Sequence, residues 1–123
     1  DSKVIDIAGK DALNNTFYST HYSDQDKDVQ GFIKLFKQEN DGKDPNVFAA
    51  LGYDAGKMLI EAIKQAKSAD PQKIRDALEN LKDVQVGTGI ISMNKDHNPI
   101  KSAVIIELKD GNKVMKEKIA PEN

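Results

Sequence analysis

Asn46 to Lys67, NVFAALGYDAGKMLIEAIKQAK, is the stretch whose reading decides the fold. At helical period Phe48, Leu51, Ala55, Met58, Leu59, Ala62, Ile63 and Ala66 fall on one stripe, with Lys57, Glu61, Lys64 and Lys67 largely off it, which predicts a core helix. A second non-polar line, Ala49, Gly52, Tyr53, Gly56 and Ile60, runs along roughly the opposite side of its first half. A helix apolar on two faces is expected to be buried between two things. Ala49, Gly52 and Gly56 are small enough to let a neighbour approach the backbone closely, and Tyr53 stands among them with a ring and a hydroxyl.

Around this helix the chain has the composition of one soluble globular domain: 123 residues, 38% hydrophobic and 31% charged. Disorder would need fewer apolar groups and a larger charge imbalance. Eighteen basic against twenty acidic residues give a net charge of −2, without the basic excess that binds a phosphate backbone, so nucleic acid is not expected as a partner. Cysteine is absent, which excludes disulfides, thiolate metal sites and cysteine nucleophiles. No apolar run reaches the roughly 18 to 20 residues of a membrane span, and no signal segment opens the chain, which is expected to be cytosolic or already processed.

Upstream, Ser2 is expected to cap a first helix running to about Leu13 and ended by Asn14 and Asn15. Thr16 to Tyr22, TFYSTHY, is β-branched and aromatic and reads as a strand. Asp24 or Asp26 then starts a helix with Val29, Phe32, Ile33 and Phe36 at i, i+3, i+4 and i+7, closed by Gly42 and Asp44-Pro45. Downstream, Asp70-Pro71 starts another helix, with Ile74, Ala77, Leu78 and Leu81 on one stripe. From Val84 the period becomes strand-like, with Gly87-Thr88-Gly89 marking a bend or hinge before Ile90 to Met93. Asn94 to Pro99 reads as a polar turn. Ala103 to Leu108, Asp110-Gly111 and Val114 to Ile119 form a hairpin, and residues 120–123 a frayed tail.

Motifs for chemistry are few. Gly87-Thr88-Gly89 lacks the third glycine and the Lys-Ser/Thr ending of a phosphate loop, and reads as a hinge or turn. His21 lies near Ser19, Ser23 and Asp24, but neighbours along a strand point to opposite faces and no G-x-S-x-G elbow is present, which disfavours a triad. Asn94 to Pro99 spaces oxygen side chains like a calcium loop but lacks glycine at its sixth position and glutamate at its twelfth. With two histidines, transition-metal binding is disfavoured, and neither metal nor cofactor is expected. Lys113, Lys116 and Lys118 are expected to blunt an edge strand. Asn14-Asn15-Thr16 fits a glycosylation sequon, meaningful only in a eukaryotic secreted protein. For Tyr53 the alternatives are a core tyrosine bonded to a backbone carbonyl and a ligand contact. Nothing here supports an enzyme.

Taken in succession, DSKVIDIAGKDALNN, TFYSTHYS, DVQGFIKLFKQENDGKDPNVFAALGYDAGKMLIEAIKQA, DPQKIRDALENLKDVQVGTGIISMN and NPIKSAVIIELKDGNKV resemble the C-terminal third of the type I periplasmic binding proteins. The branch is the one that serves ABC importers of branched-chain amino acids. The fold this implies is α/β: four helices and a crossing strand plus a C-terminal β-hairpin, part of a two-lobed architecture whose lobes close over an amino acid. By resemblance, residues 1–15 and 94–123 belong to lobe two and residues 23–86 to lobe one, with 16–22 and 87–93 crossing between them. Tyr53 matches the tyrosine that the family often places in the cleft from the start of its long helix, with Gly52 and Gly56 beside it, and Gly87 and Gly89 match hinge positions.

The function this implies is capture of an amino acid and its presentation to a membrane permease, outside the cytoplasm: periplasmic, extracellular or on a lipid-anchored surface protein. Alternatives are a ligand-sensing receptor or regulator domain of the same fold and a self-associating structural piece. The family holds the ligand's carboxylate and ammonium largely with residues outside these stretches, and Asp1 does not take the acidic role. Apolar faces of a partial lobe, one side of the Asn46 to Lys67 helix among them, are expected to fold back on the chain's own strands or to pair with a second copy, for instance by exchanging the C-terminal hairpin.

Overall fold

The computed structural model describes residues 3–122, and the proposed Ser2 cap lies outside them. Six strands form two separate antiparallel sheets. The first has the order β1 (Thr16–Thr20), β5 (Ala103–Lys109), β6 (Asn112–Ile119), and the second the order β2 (Val84–Val86), β3 (Gly89–Met93), β4 (Pro99–Ile100). Helices α3 (Val47–Ala66) and α4 (Pro71–Glu79) pack on the second sheet, and α2 (Gln30–Glu39) packs on α3. Helix α1 (Lys3–Ala8) precedes β1.

The ends of α3 follow from its end residues. The Asn46 side chain accepts from the Ala49 N–H at 2.9 Å, satisfying one of the donors a helix leaves open. Lys67 takes a left-handed conformation and closes the last turn on the Ile63 carbonyl. Asp70 caps α4 from its side chain with Pro71 at the first position, as the sequence predicts. At the hairpin tip Asp110 and Gly111 have φ of 51° and 78°, the pair of positive values that a two-residue turn matching strand twist requires.

Helix α1 is shorter than expected. It stops at Ala8 because Gly9, at φ 80°, turns its N–H back to the Ile5 carbonyl, and residues 10–15 form turns instead of further helix. β1 ends at Thr20, two residues before the expected Tyr22. The second helix opens at Asp26, not Asp24. Asp26 caps a short 3-10 turn, Lys27–Val29, that runs into α2.

Two corrections bear on function. Gly87 and Thr88 are the loop of a tight hairpin in which Val86 faces Gly89, so residues 89–93 lie within the second sheet and not between the two sheets. β4 then pairs with β3 and stays with the helices, and the chain crosses to the first sheet at residues 101–102. The second correction concerns α3. Its buried line is Ala50, Asp54 and Ala62, with Met58 partly buried, whereas Phe48 is 78% exposed and Leu59, Ile60 and Ile63 are exposed as well. Large side chains of the predicted core stripe therefore face outward, and the small alanines take the packing, Ala62 against Leu81, Val84, Val86 and Ile91 and Ala50 against Val29, Phe32 and Ile33. One side of the helix is uncovered, where the sequence predicts burial on both apolar faces. Among the described residues no helix is long and apolar enough to cross a membrane.

Candidate functional site

A cavity opens between the first sheet, the segment that follows β1 and the start of α3. It has a volume of about 810 Å³ and is bounded by Tyr18 and Thr20 of β1, Tyr22 to Gln25 of the following segment, Asp44 to Phe48 at the start of α3, Ile106 of β5 and Lys113 of β6. Aromatic rings from three directions, Tyr18, Tyr22 and Phe48, give it apolar walls. Asp24 and Asp44 put carboxylates on its rim, and Asp44 is paired with Lys37 at 2.6 Å. The first turn of α3 presents backbone N–H groups that the helix itself leaves open, since the Asn46 side chain takes only that of Ala49.

Tyr22 joins this cavity to the core. Its ring meets Phe32 edge-on at 6.3 Å, and Phe32 in turn contacts Phe36 at 5.9 Å and Tyr53 at 4.9 Å. The Tyr22 hydroxyl is buried without a hydrogen-bond partner. Burial, then the nearby Asp24 and Asp44 charges, push its pKa up to about 12, because each opposes forming a phenolate there. Burial also raises that of Tyr18.

Tyr53, Gly52 and Gly56 do not form one surface. Tyr53 turns into the aromatic cluster and against Gly87, where an added Cβ would lie 2.8 Å from its Cδ1. No hydrogen bond ties its hydroxyl to a described residue, so the expected bond to a backbone carbonyl is not made. Gly52 and Gly56 lie one turn apart and open onto space on the exposed side of α3. Gly89 sits at φ 133° beside Lys118.

The residue that sequence reasoning passed over is Asp54. It is 2% exposed, and its Oδ1 accepts from the N–H groups of Gly87 at 2.8 Å and Thr88 at 3.2 Å. Its Oδ2 accepts from the Thr88 hydroxyl and stands 3.6 Å from the Lys101 ammonium, which also donates to that hydroxyl. A second group of charges joins β6 to the other crossing. Lys118 pairs with Asp26 at 2.8 Å and Asp28 at 2.6 Å. The Gln25 side chain donates to the Lys113 carbonyl at 2.7 Å and accepts from the Met115 N–H at 3.0 Å, lining the edge of the sheet. Lys116 is paired with Glu107 at 2.9 Å, so two of the three lysines expected to blunt that edge are engaged in ion pairs. No cluster of metal-ligating side chains occurs among the described residues.

A family model described as periplasmic binding protein matches residues 1–113. Among solved structures, a leucine-binding protein from Thermotoga maritima is 30% identical with a TM-score of 0.78, over 98% of this chain and 35% of its own. The LivJ substrate-binding protein of a branched-chain amino-acid transporter from Streptococcus pneumoniae, solved with isoleucine, is 23% identical at a TM-score of 0.77, over 98% and 35%. A solute-binding protein of an ABC transporter from Rhodopseudomonas palustris, solved with benzoate, is 25% identical at 0.71, over 95% and 33%. The chain thus spans about a third of the length of these relatives. Among proteins of curated function, none matches.

Proposed function

We propose, for a chain that belongs to the periplasmic binding protein family, that it forms one wall of a solute site between its first sheet and the start of α3. The observation that carries this reading is the cavity of about 810 Å³ walled by Tyr18, Tyr22 and Phe48. A small-molecule site is concave, mostly apolar and equipped with a few polar groups that orient its occupant. Here the rings would take an apolar or aromatic side chain, the open N–H groups at the start of α3 a carboxylate, and Asp24 and Asp44 an ammonium.

Branched-chain amino acids are the proposed solutes, and the relatives solved as leucine-binding or with isoleucine or benzoate support a small carboxylate with an apolar body. In this reading the solute is handed to an ABC permease outside the cytoplasm. Tyr53 does not line the cavity and acts from behind it, holding Phe32 and through it Tyr22. Gly52 and Gly56 lie on the uncovered side of α3, where the rest of a family-length chain would pack.

Isothermal titration with leucine, isoleucine, valine and benzoate tests the reading. One wall desolvates its ligand incompletely, so the expected dissociation constant is on the order of 1 mM, roughly −4 kcal/mol. Binding of these solutes by wild type, weakened several-fold by Phe48→Ala, supports the assignment. Equal binding by both proteins places the solute elsewhere.

A further inference from the structure

Helix α1 and the first sheet enclose a second, smaller cleft. Its volume is about 220 Å³, and it is lined by Val4 and Ile5 of α1, by Leu13, and by Thr16, Tyr18, Leu108 and Lys113 of the sheet. Strand register builds its floor. Thr16 pairs with Leu108 and Leu108 with Lys113, so the three stand abreast on one face, which Tyr18, two residues on from Thr16, extends. The segment that joins α1 to the sheet is tied down as well, because the Asn14 side chain accepts the Asp110 N–H of the hairpin tip at 2.7 Å. Helix α1 buries none of its side chains and Val4 is 45% exposed, so the apolar wall is open to a ligand.

We propose that this cleft is a separate binding site, for a small monocarboxylate with an apolar body and no ammonium group. Its lining selects that chemistry. Val4, Ile5, Leu13 and Leu108 offer hydrocarbon, and Lys113 is the one charged residue among those that line it. Among the described residues the Lys113 ammonium has no ion-pair partner, whereas Lys116 and Lys118 of the same strand are both engaged. A carboxylate would take that ammonium in a charge-assisted hydrogen bond, while the apolar body leaves water against the four aliphatic side chains. An apolar cavity of roughly 150 Å³ accommodates a benzene ring, so the cleft has room for a short branched chain. Tyr18 and Lys113 also border the larger cavity, but only that cavity carries carboxylates, Asp24 and Asp44. An amino acid would therefore leave its ammonium unpaired in the cleft. The assignment stands on the cleft alone and does not rest on the solute site proposed above.

Amide chemical-shift titration of the 123-residue chain with isocaproate, which is leucine without its ammonium group, tests the assignment. Saturable shifts are expected at Ile5, Leu13, Thr16 and Leu108. Lys113→Met should weaken isocaproate about tenfold, the worth of one hydrogen bond to a charged group. Val4 lines the cleft and not the larger cavity, so Val4→Glu, which sets a carboxylate beside the ligand's own, should weaken it at least as much. Phe48→Ala should leave it unchanged. Shifts confined to Thr20, Tyr22, Val47 and Phe48, and weakened by Phe48→Ala, would put the carboxylate in the larger cavity and overturn the proposal. Neutral isocaproamide bound as tightly as isocaproate, or an affinity that Lys113→Met does not change, would overturn the carboxylate selectivity, and an absence of saturable shifts would overturn the site itself. Should Val4→Glu unfold, Lys113→Met and isocaproamide decide by the same readout.

Discussion

The Asp54 carboxylate accepts the Gly87 N–H at 2.8 Å and so joins the middle of α3 to the turn between β2 and β3. Asp54 also accepts from Thr88 and faces Lys101, and it is the most buried charged side chain in the junction between the bodies. Asp54→Ala leaves two backbone donors and a lysine without their acceptor. The expected cost is about 3 kcal/mol, read as a lower urea midpoint at unchanged slope. A cost below about 0.5 kcal/mol would mean that water replaces the carboxylate freely.

Gly87→Ala probes the same contact from the other side. Its φ lies outside the left-handed region, so no backbone strain is involved, but the new Cβ would stand 2.8 Å from Tyr53 Cδ1 and 3.2 Å from Asp54 Oδ1. Overpacking of this kind costs about 1 to 3 kcal/mol. Combining it with Tyr53→Leu should recover part of the loss, and the coupling between the two changes is the quantity to measure.

How legible was this in the sequence? Helix α3 could be bounded to the residue, because Asn46 and Lys67 carry local geometry that depends on nothing distant. The Asp110-Gly111 hairpin was equally local. Which face of α3 is buried cannot be read, since apolar residues surround much of the helix and contacts with α2 and the second sheet select Ala50 and Ala62 over Phe48 and Leu59. Asp54 offered a signal that was missed: it falls one turn after Ala50 and two turns before Ala62, on a non-polar line where a carboxylate needs donors. Gly87-Thr88-Gly89 reads as a hinge or turn, and only strand pairing shows that Val86 meets Gly89 across it. Phe48 joins Tyr18 and Tyr22 from a helix more than twenty residues further along the chain, which no local pattern announces.

Tyr22 carries a buried hydroxyl with no partner. Tyr22→Phe removes an unpaired polar group at little change in shape, and is expected to stabilise the chain by about 1 kcal/mol. The same hydroxyl sets a pH dependence. Its folded pKa, about 12, stands above the ordinary 10.0, so the stability it confers is full below pH 10 and is lost as pH rises through the folded value. Absorbance titration of the phenolates should show a step near pH 12 that vanishes in Tyr22→Phe. A Tyr22 that ionises near pH 10 would contradict its burial.

Lys118 and Asp26 form a partly buried pair, with side chains 24% and 7% exposed. Burial raises the Asp26 pKa, but hydrogen bonds from Lys118 and the Asp28 N–H, with the Lys118 charge, outweigh it and hold the carboxyl below its ordinary 3.8. A depressed carboxyl contributes stability that is present above pH 3.8 and lost as pH falls through its folded value. The double-mutant cycle with Asp26→Asn and Lys118→Met should therefore give a coupling of about 1 kcal/mol at pH 7 that shrinks in acid. A coupling unchanged down to pH 2 would sink the assignment.

Central to the account is a solute site between the first sheet and the start of α3. Amide chemical-shift mapping while leucine and isoleucine are titrated into the chain tests it most directly. Saturable shifts are predicted for Thr20, Tyr22, Val47 and Phe48, with the exposed amides of α4 unmoved. Saturable shifts confined to Gly52, Gly56 and the outer side of α3, or none at all in a well-dispersed spectrum, would contradict it.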